Sequence, residues 1–139
     1  IDIWSLGCII TELITNKPLF NGSSTKDLLF KMCEKLDIPQ SNEYVNSKKH
    51  FTYFTKLYNK EDNKIKYNYL IYNKNKYTEP KYCLEIYLKK YLSTFKTDDN
   101  TRIFIIDLIK DIFVYDFKER PSAEDCVNYL NIFCKINKK

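Results

Sequence analysis

The 139-residue chain has few glycines and almost no histidine. Its two glycines, Gly7 and Gly22, are fifteen residues apart, and His50 is the single histidine. A loop that cradles nucleotide phosphates needs several glycines within a few residues, so this chain cannot supply one. The five cysteines are widely spaced and form no C-x-x-C pair. A zinc site is therefore not expected.

The sequence also lacks the features of an exported or membrane-spanning protein. It shows neither the basic N-terminal region nor the small-residue cleavage site of a signal peptide. Its apolar runs are interrupted too often to cross a bilayer. We expect an intracellular protein, cytoplasmic and/or nuclear, without a membrane partner. Its thiols are expected to be reduced and mostly buried; they are Cys8, Cys33, Cys83, Cys126 and Cys134.

Arginine and alanine are scarce as well. Only Arg102 and Arg120 among the 23 basic residues are arginines, and Ala123 is the one alanine. Abundant Lys, Asn, Ile and Tyr is typical of an AT-rich genome, so composition says little about function. The net charge of +5 arises entirely in residues 40–100, which hold twelve lysines against seven acidic residues and ten of the twelve tyrosines. Two conventional helical blocks flank this basic, Tyr-rich middle.

The first twenty residues predict a helix that is apolar around its whole circumference. Such a helix is buried on all sides, which indicates the centre of a larger core. Asp2 is predicted to cap its start, because a carboxylate accepts hydrogen bonds from the free N–H groups of the first turn. Asn16 and Pro18 are predicted to end it.

Apolar spacing predicts three further helices and a final one. A helix around Leu28–Leu36 begins at Ser24 or Thr25 and ends before Pro39. Another covers Leu84–Phe95. A third covers Ile103–Phe113 and starts between Asp99 and Thr101. Ser122–Asp125 resembles a capping box and opens the last helix. In the middle, the spacing allows a short helix over Phe51–Leu57, and residues 59–78 are expected to form a loop with room for a strand at Tyr67–Tyr72.

Three stretches, in this order, resemble one family. DIWSLGCIITEL (residues 2–13) resembles the central helix of the large lobe of eukaryotic protein kinases. KPLFNGSSTKDLLFKMCEKLDIP (17–39) is similar to the following segment in the CMGC group, which includes cyclin-dependent, MAP and glycogen synthase kinases. LIKDIFVYDFKERPSAEDCV (108–127) resembles the terminal helix pair of that lobe. Asp37 departs from the usual glycine before Ile-Pro, and the closing NYLNIF resembles the group's ending only loosely.

The resemblance implies a mainly α fold, namely the helical subdomain of a kinase large lobe without the small lobe, catalytic loop and activation segment. It also implies a division of the chain. Residues 1–40 correspond to the central helix and the helix after it, 41–99 to a CMGC-type insert, 100–134 to the terminal helix pair and 135–139 to a tail. We expect the chain to be the C-terminal part of a kinase domain.

The resemblance gives structural roles to four residues. The aspartate matching Asp2 binds the backbone of the catalytic loop, and Trp4 and Gly7 match packing positions near the activation segment. The arginine matching Arg120 pairs with a glutamate that this chain lacks, so Arg120 is expected to stay solvated or find a substitute partner. From the residues alone, Asp2 is a helix cap, Trp4 is core and Arg120 is a surface charge. None is a catalytic candidate.

The chemical motifs of a kinase are missing from the sequence. There is no Gly-rich loop, His50 does not begin an H-R-D motif, and Asp116-Phe117-Lys118 is neither D-F-G nor in its place. We therefore expect no catalytic, cofactor-binding or metal-binding residue in this chain. By resemblance, ATP and magnesium belong to the parent kinase.

Three hypotheses follow. The first is that the chain is part of a serine/threonine kinase whose parent transfers the γ-phosphate of ATP, while residues 1–139 alone are inactive; its partner is then the missing N-terminal half of the domain. The second is a non-catalytic, kinase-derived module that binds a protein partner through the exposed central helix. The third, nucleic-acid binding by the basic middle, is the weakest, because genome bias explains that composition. Docking of a regulator or substrate on 41–99 is the role that the resemblance favours there.

Overall fold

The computed structural model describes residues 2–36, 54–59, 64–69 and 83–136. In chain order these contain helices α1 (Asp2–Thr15) and α2 (Thr25–Leu36), strands β1 (Phe54–Asn59) and β2 (Lys64–Tyr69), and helices α3 (Leu84–Leu92), α4 (Asp99–Ile112) and α5 (Ala123–Ile136). The described part of the chain is thus mainly α, as the resemblance implies. Two compact units form, one from residues 1–19 with 84–139 and the other from 20–83.

The first unit has its core where α1, α3 and α4 pack together. The centre of this core is aliphatic, and Leu88, Ile109 and Ile112 are completely inaccessible to water. Helices α3 and α4 are also linked at their surface, because Lys110 Nζ lies 3.1 Å from Glu85 Oε2. Arg102 of α4 donates to the carbonyl oxygens of Leu92, the last residue of α3, and of Phe95 just beyond it.

Helix α1 differs from its prediction in which face it buries. Its buried residues are small, Gly7, Thr11 and Thr15, spaced four apart along one stripe. The two buried hydroxyls donate to carbonyl oxygens one turn earlier, Thr11 to Gly7 at 2.8 Å and Thr15 to Thr11 at 2.9 Å, so neither is left unsatisfied. The prediction that α1 is enclosed on all sides is wrong for this part of the chain.

The ends of the helices follow local signals closely. Asn16 follows α1 with φ of 54°, a left-handed conformation that asparagine tolerates at a helix end. Ser24 caps α2, since its Oγ accepts from the N–H of Asp27. Asp98 caps α4 through the N–H of Thr101, and the helix begins at Asp99, within the predicted interval. Asp2, predicted as a cap, is instead the first helical residue of α1 and is exposed.

The capping box at the start of α5 is confirmed. The Ser122 N–H donates to Asp125 Oδ2 at 2.9 Å, and the Asp125 N–H donates to Ser122 Oγ at 3.1 Å. The Ser122 hydroxyl also donates to Asp125 Oδ2, at 2.6 Å, and this bond together with the one from the Ser122 N–H lowers the pKa of the Asp125 carboxyl. Helix α5 continues through Ile136, two residues into the segment predicted to be a tail.

The middle of the chain contains a hairpin in the second unit. Strands β1 and β2 pair antiparallel, with Phe54 opposite Tyr69 and Asn59 opposite Lys64. The short helix allowed over Phe51–Leu57 is therefore wrong, because residues 54–57 belong to β1. The strand allowed at Tyr67–Tyr72 is real but starts earlier, at Lys64, and residues 64–69 are not loop. Asn59 is the last residue of β1, and residues 60–63 and 70–78, like Asp37 and Pro39, lie outside the described residues.

Substitution of Gly7 tests the packing of α1 on α4. A Cβ at this position would lie 2.5 Å from Ile112 Cγ2 and 3.0 Å from Phe113 Cζ, and both side chains are buried. Overpacking of this kind costs about 1–3 kcal/mol, against a gain of about 1 kcal/mol in helix propensity. We expect Gly7→Ala to lower the free energy of unfolding by roughly 1 kcal/mol in denaturant titrations.

The control is the same substitution in an Ile112→Ala background, which removes the nearest atom. There the cost of Gly7→Ala should shrink or change sign. A Gly7→Ala variant that is more stable than the parent chain, with Ile112 intact, would contradict this packing.

Candidate functional site

The most organised group of side chains surrounds Trp4, one turn into α1. Its indole lies edge-on to Phe113, with ring centroids 5.0 Å apart, and tilted against Tyr115 at 5.9 Å. Edge and tilted arrangements at these distances are favourable for aromatic pairs. Because Phe113 and Tyr115 follow α4 directly, the rings attach the α4–α5 connection to α1.

Arg120 completes this group from the other end of the same connection. Its guanidinium carbon lies 4.9 Å from the centroid of the Trp4 ring, within the range of a cation–π interaction. Its Nε and Nη2 both donate to the Val114 carbonyl oxygen, at 3.1 and 2.9 Å, and Nη2 also approaches the Tyr115 carbonyl at 3.4 Å. Here Arg120 has substitute partners, a ring and two carbonyls, in place of the family's glutamate.

We call Trp4, Phe113, Val114, Tyr115 and Arg120 the Trp4–Arg120 cluster. Gly7 lies beside it, since its Cα faces the buried Phe113 ring. Three of the four residues singled out by the resemblance, Trp4, Gly7 and Arg120, are thus brought together, while Asp2 lies at the exposed start of the same helix. Tyr115 and Phe113 were not anticipated as members. Their position directly before the Arg120 segment was the only available signal.

The chemistry available in the cluster is binding and positioning. An arginine held over a ring by two carbonyls presents positive charge beside α1. The thiols of Cys8 and Cys126 add no nucleophile. Burial, with the Glu12 carboxylate nearby, raises the pKa of Cys8, and burial also raises that of Cys126, so both stay protonated near neutral pH.

The prediction that most cysteines are buried holds for only part of the set. Cys33 and Cys126 are buried, Cys8 is half-buried, and Cys83 and Cys134 are exposed; all five are free thiols. Cys134 is exposed because it lies on a side of α5 that nothing in the first unit covers. Among the described residues, no group of three or more His, Cys, Asp or Glu side chains could hold a metal ion.

A second notable surface is the outer face of α1. Leu6, Ile9 and Leu13 are 41%, 56% and 78% exposed. Burying these side chains fully would contribute roughly 3–5 kcal/mol in total, at about 1.5–3 kcal/mol for each complete side chain. Contiguous apolar surface of this kind marks an interaction site. No helix in the described residues is both long and apolar enough to cross a membrane.

Comparison with known proteins decides the family. Residues 1–130 match the protein kinase domain. The chain belongs to the protein kinase domain family. It is 30% identical over 132 residues to a probable casein kinase II subunit alpha homolog of Encephalitozoon cuniculi, covering 93% of this chain and 33% of that protein. It is 29% identical over 139 residues to extracellular signal-regulated kinase 1 of Candida albicans, covering 96% and 30%.

The fold agrees with the family. MAP kinase LmaMPK10 from Leishmania major superposes on 94% of this chain and 31% of its own, with a TM-score of 0.57 at 21% identity. The kinase relatives are of the CMGC type, so the resemblance drawn from the three motifs is confirmed. The chain spans about a third of the length of these relatives. The structural roles of Asp2, Trp4, Gly7 and Arg120 remain predictions.

Replacing Arg120 tests the cluster. Arg120→Met removes the cation and its donors while keeping an apolar stem. We expect a loss of about 1–3 kcal/mol in the free energy of unfolding, because the carbonyls of Val114 and Tyr115 lose charge-assisted partners. Trp4 is the only tryptophan, so its emission should shift in the native state. Arg120→Lys should be intermediate, since an ammonium cannot stack or donate as a planar fork.

The matched control is Lys96→Met, which removes one exposed positive charge after α3 and should change stability by less than about 0.5 kcal/mol. Unchanged Trp4 emission and stability in Arg120→Met would mean that the cluster does not exist in solution.

Proposed function

We propose that this chain is the C-terminal part of a serine/threonine protein kinase domain. The parent transfers the γ-phosphate of ATP to protein serine or threonine, and residues 1–139 alone are inactive. The observation that carries the proposal is the match of residues 1–130 to the kinase domain. Serine or threonine as the phosphate acceptor is supported by the CMGC-type relatives. One of them, from Mus musculus, is named as a serine/threonine-protein kinase and is 26% identical to this chain.

The described residues do not fit ATP or magnesium. Phosphoryl transfer requires cradled phosphates, held magnesium and an oriented hydroxyl. Gly7 and Gly22 both meet neighbouring atoms within 3 Å of an added Cβ, so each serves close packing rather than an open phosphate loop. No metal-holding cluster exists in the described residues. ATP and magnesium would therefore be bound by the part of the kinase domain that this chain does not contain.

The exposed face of α1 is consistent with a kinase domain of which this chain forms only one part. In the proposal, the remainder of the kinase domain is the principal partner, and it covers Leu6, Ile9 and Leu13. Residues 41–99, with their excess of lysine, are the proposed docking site for a protein regulator or substrate. The proposal includes no membrane or nucleic-acid partner. Its location inside the cell, in cytoplasm or nucleus, follows from the same assignment.

A phosphotransfer assay tests the proposal. The protein is captured from its own cells at native length with an antibody to residues 122–134, and ATP with a labelled γ-phosphate is supplied with a protein substrate. We expect labelled phosphoserine or phosphothreonine, and no transfer by residues 1–139 alone, because this chain carries no catalytic motif.

The chain of 139 residues is the matched negative control, and an assay without magnesium is the second. Native protein that is no longer than 139 residues, and inactive, would favour the alternative of a non-catalytic interaction module that binds its partner through α1. Transfer by residues 1–139 alone would contradict the proposal directly.

A further inference from the structure

Away from the Trp4–Arg120 cluster, an open groove runs between α4 and α5 in the first unit. Its volume is about 270 Å³. The rings of Phe104 and Phe133 stack across it, with centroids 4.1 Å apart, and join the two helices. The lining is mostly apolar, from Phe104, Leu108, Tyr129, Ile132, Phe133 and Ile136. We call this the α4–α5 groove.

The groove leaves apolar surface in contact with water. Ile132 and Ile136 both line it, yet they are 57% and 67% exposed. On α5 only Cys126 is buried, although the helix is strongly amphipathic in sequence. An exposed apolar strip beside a concave lining is the usual form of a groove that accepts an amphipathic helix.

The charged rim of the groove is acidic. Asp107 and Asp111 line it from α4 and are both exposed. They are four residues apart, so the two carboxylates lie on one helical face and repel each other. The ion pairs among the described residues engage Asp27, Glu85 and Asp99, and none involves Asp107 or Asp111. The groove thus combines an apolar wall with two adjacent carboxylates that form no ion pair with any described residue.

The length of the groove limits the length of the helix that can bind in it. One wall runs from Phe104 to Asp111 and the other from Tyr129 to Ile136. Each spans eight residues, whose ends are about 10 Å apart at a rise of roughly 1.5 Å per residue. This is two turns of helix. A helix that lies in the groove therefore presents about three apolar anchors, spaced i, i+4 and i+7, and two cations one turn apart.

We propose that the α4–α5 groove docks a basic amphipathic helix of a partner protein. Its apolar face covers Ile132 and Ile136, and its lysine or arginine side chains pair with Asp107 and Asp111. The charge of the rim favours a basic partner over a neutral or acidic one, and the groove's length favours a short helical segment. This interaction does not depend on kinase activity and is independent of the proposed function.

Binding of designed peptides tests this proposal. The probe is a fluorescein-labelled 14-residue helix with three leucines at i, i+4 and i+7, lysines flanking them one turn apart, and alanine elsewhere. Fluorescence anisotropy is measured with the protein at native length and low salt. We expect saturable binding that weakens with added salt, since exposed charge pairs are screened. Versions with glutamate for lysine, or serine for leucine, should bind about tenfold more weakly or not at all.

Two sets of variants locate the site. Asp107→Asn with Asp111→Asn should weaken binding of the lysine probe about three- to tenfold. Ile132→Ser should also weaken it, and because this side chain is largely exposed the variant should still fold. The matched control, Glu34→Gln with Glu119→Gln, makes the same change in net charge at exposed positions elsewhere and should leave the affinity unchanged.

Three outcomes would overturn the proposal. These are equal binding of the lysine and glutamate probes, equal weakening by the control variant, and no binding of the lysine probe up to its solubility limit.

Discussion

The close approach of α1 to α4 at Gly7 is the constraint on which the first unit depends. An absent side chain lets Ile112 and Phe113 pack directly against the helix backbone. The next turns continue with Thr11 and Thr15, whose hydroxyls donate to carbonyl oxygens one turn earlier in α1, and Tyr87 of α3 hydrogen-bonds with Thr15. A stripe of small residues therefore carries the packing, and the aliphatic core of α3 and α4 packs against it.

This arrangement has a consequence on the opposite side of α1. With the small residues turned to α3 and α4, the large ones, Leu6, Ile9 and Leu13, face water. The helix thus has one face of small residues that is packed within this unit and one apolar face that is open. The Trp4–Arg120 cluster adds a second contact of α1 with its neighbours. Its rings and the Arg120 guanidinium hold the α4–α5 connection against α1. Its residues position elements of structure.

Much of the local structure could be predicted from the sequence, because its signals act within a few residues. The capping box at Ser122 and the end of α1 at Asn16 are examples. The family could also be predicted, since each of its three motifs is a continuous stretch of sequence. Two features could not be predicted, because they depend on residues far away in the sequence. The first is the buried face of α1, which is determined by the contact of Gly7 with α4. The spacing of apolar residues in α1 does not distinguish this face from the others.

The hairpin was missed for a related reason. Phe54 and Leu57 are spaced as on a helix, whereas their actual cross-strand partners are Tyr69 and Lys66 of β2. Strand preference depends more on cross-strand neighbours than on the segment itself. The exposure of Cys134 likewise depends on what covers α5, which no pattern within the helix reveals.

The open face of α1 is the central claim, and its accessibility can be measured directly. Hydroxyl-radical footprinting of Leu6, Ile9 and Leu13 would compare the protein at native length with residues 1–139, using the exposed Phe117 as the reference. The account predicts strong protection of all three leucine and isoleucine side chains at native length and free labelling in the shorter chain, with Phe117 unchanged. Equal labelling in both would contradict it, because the face would then have no partner within the protein.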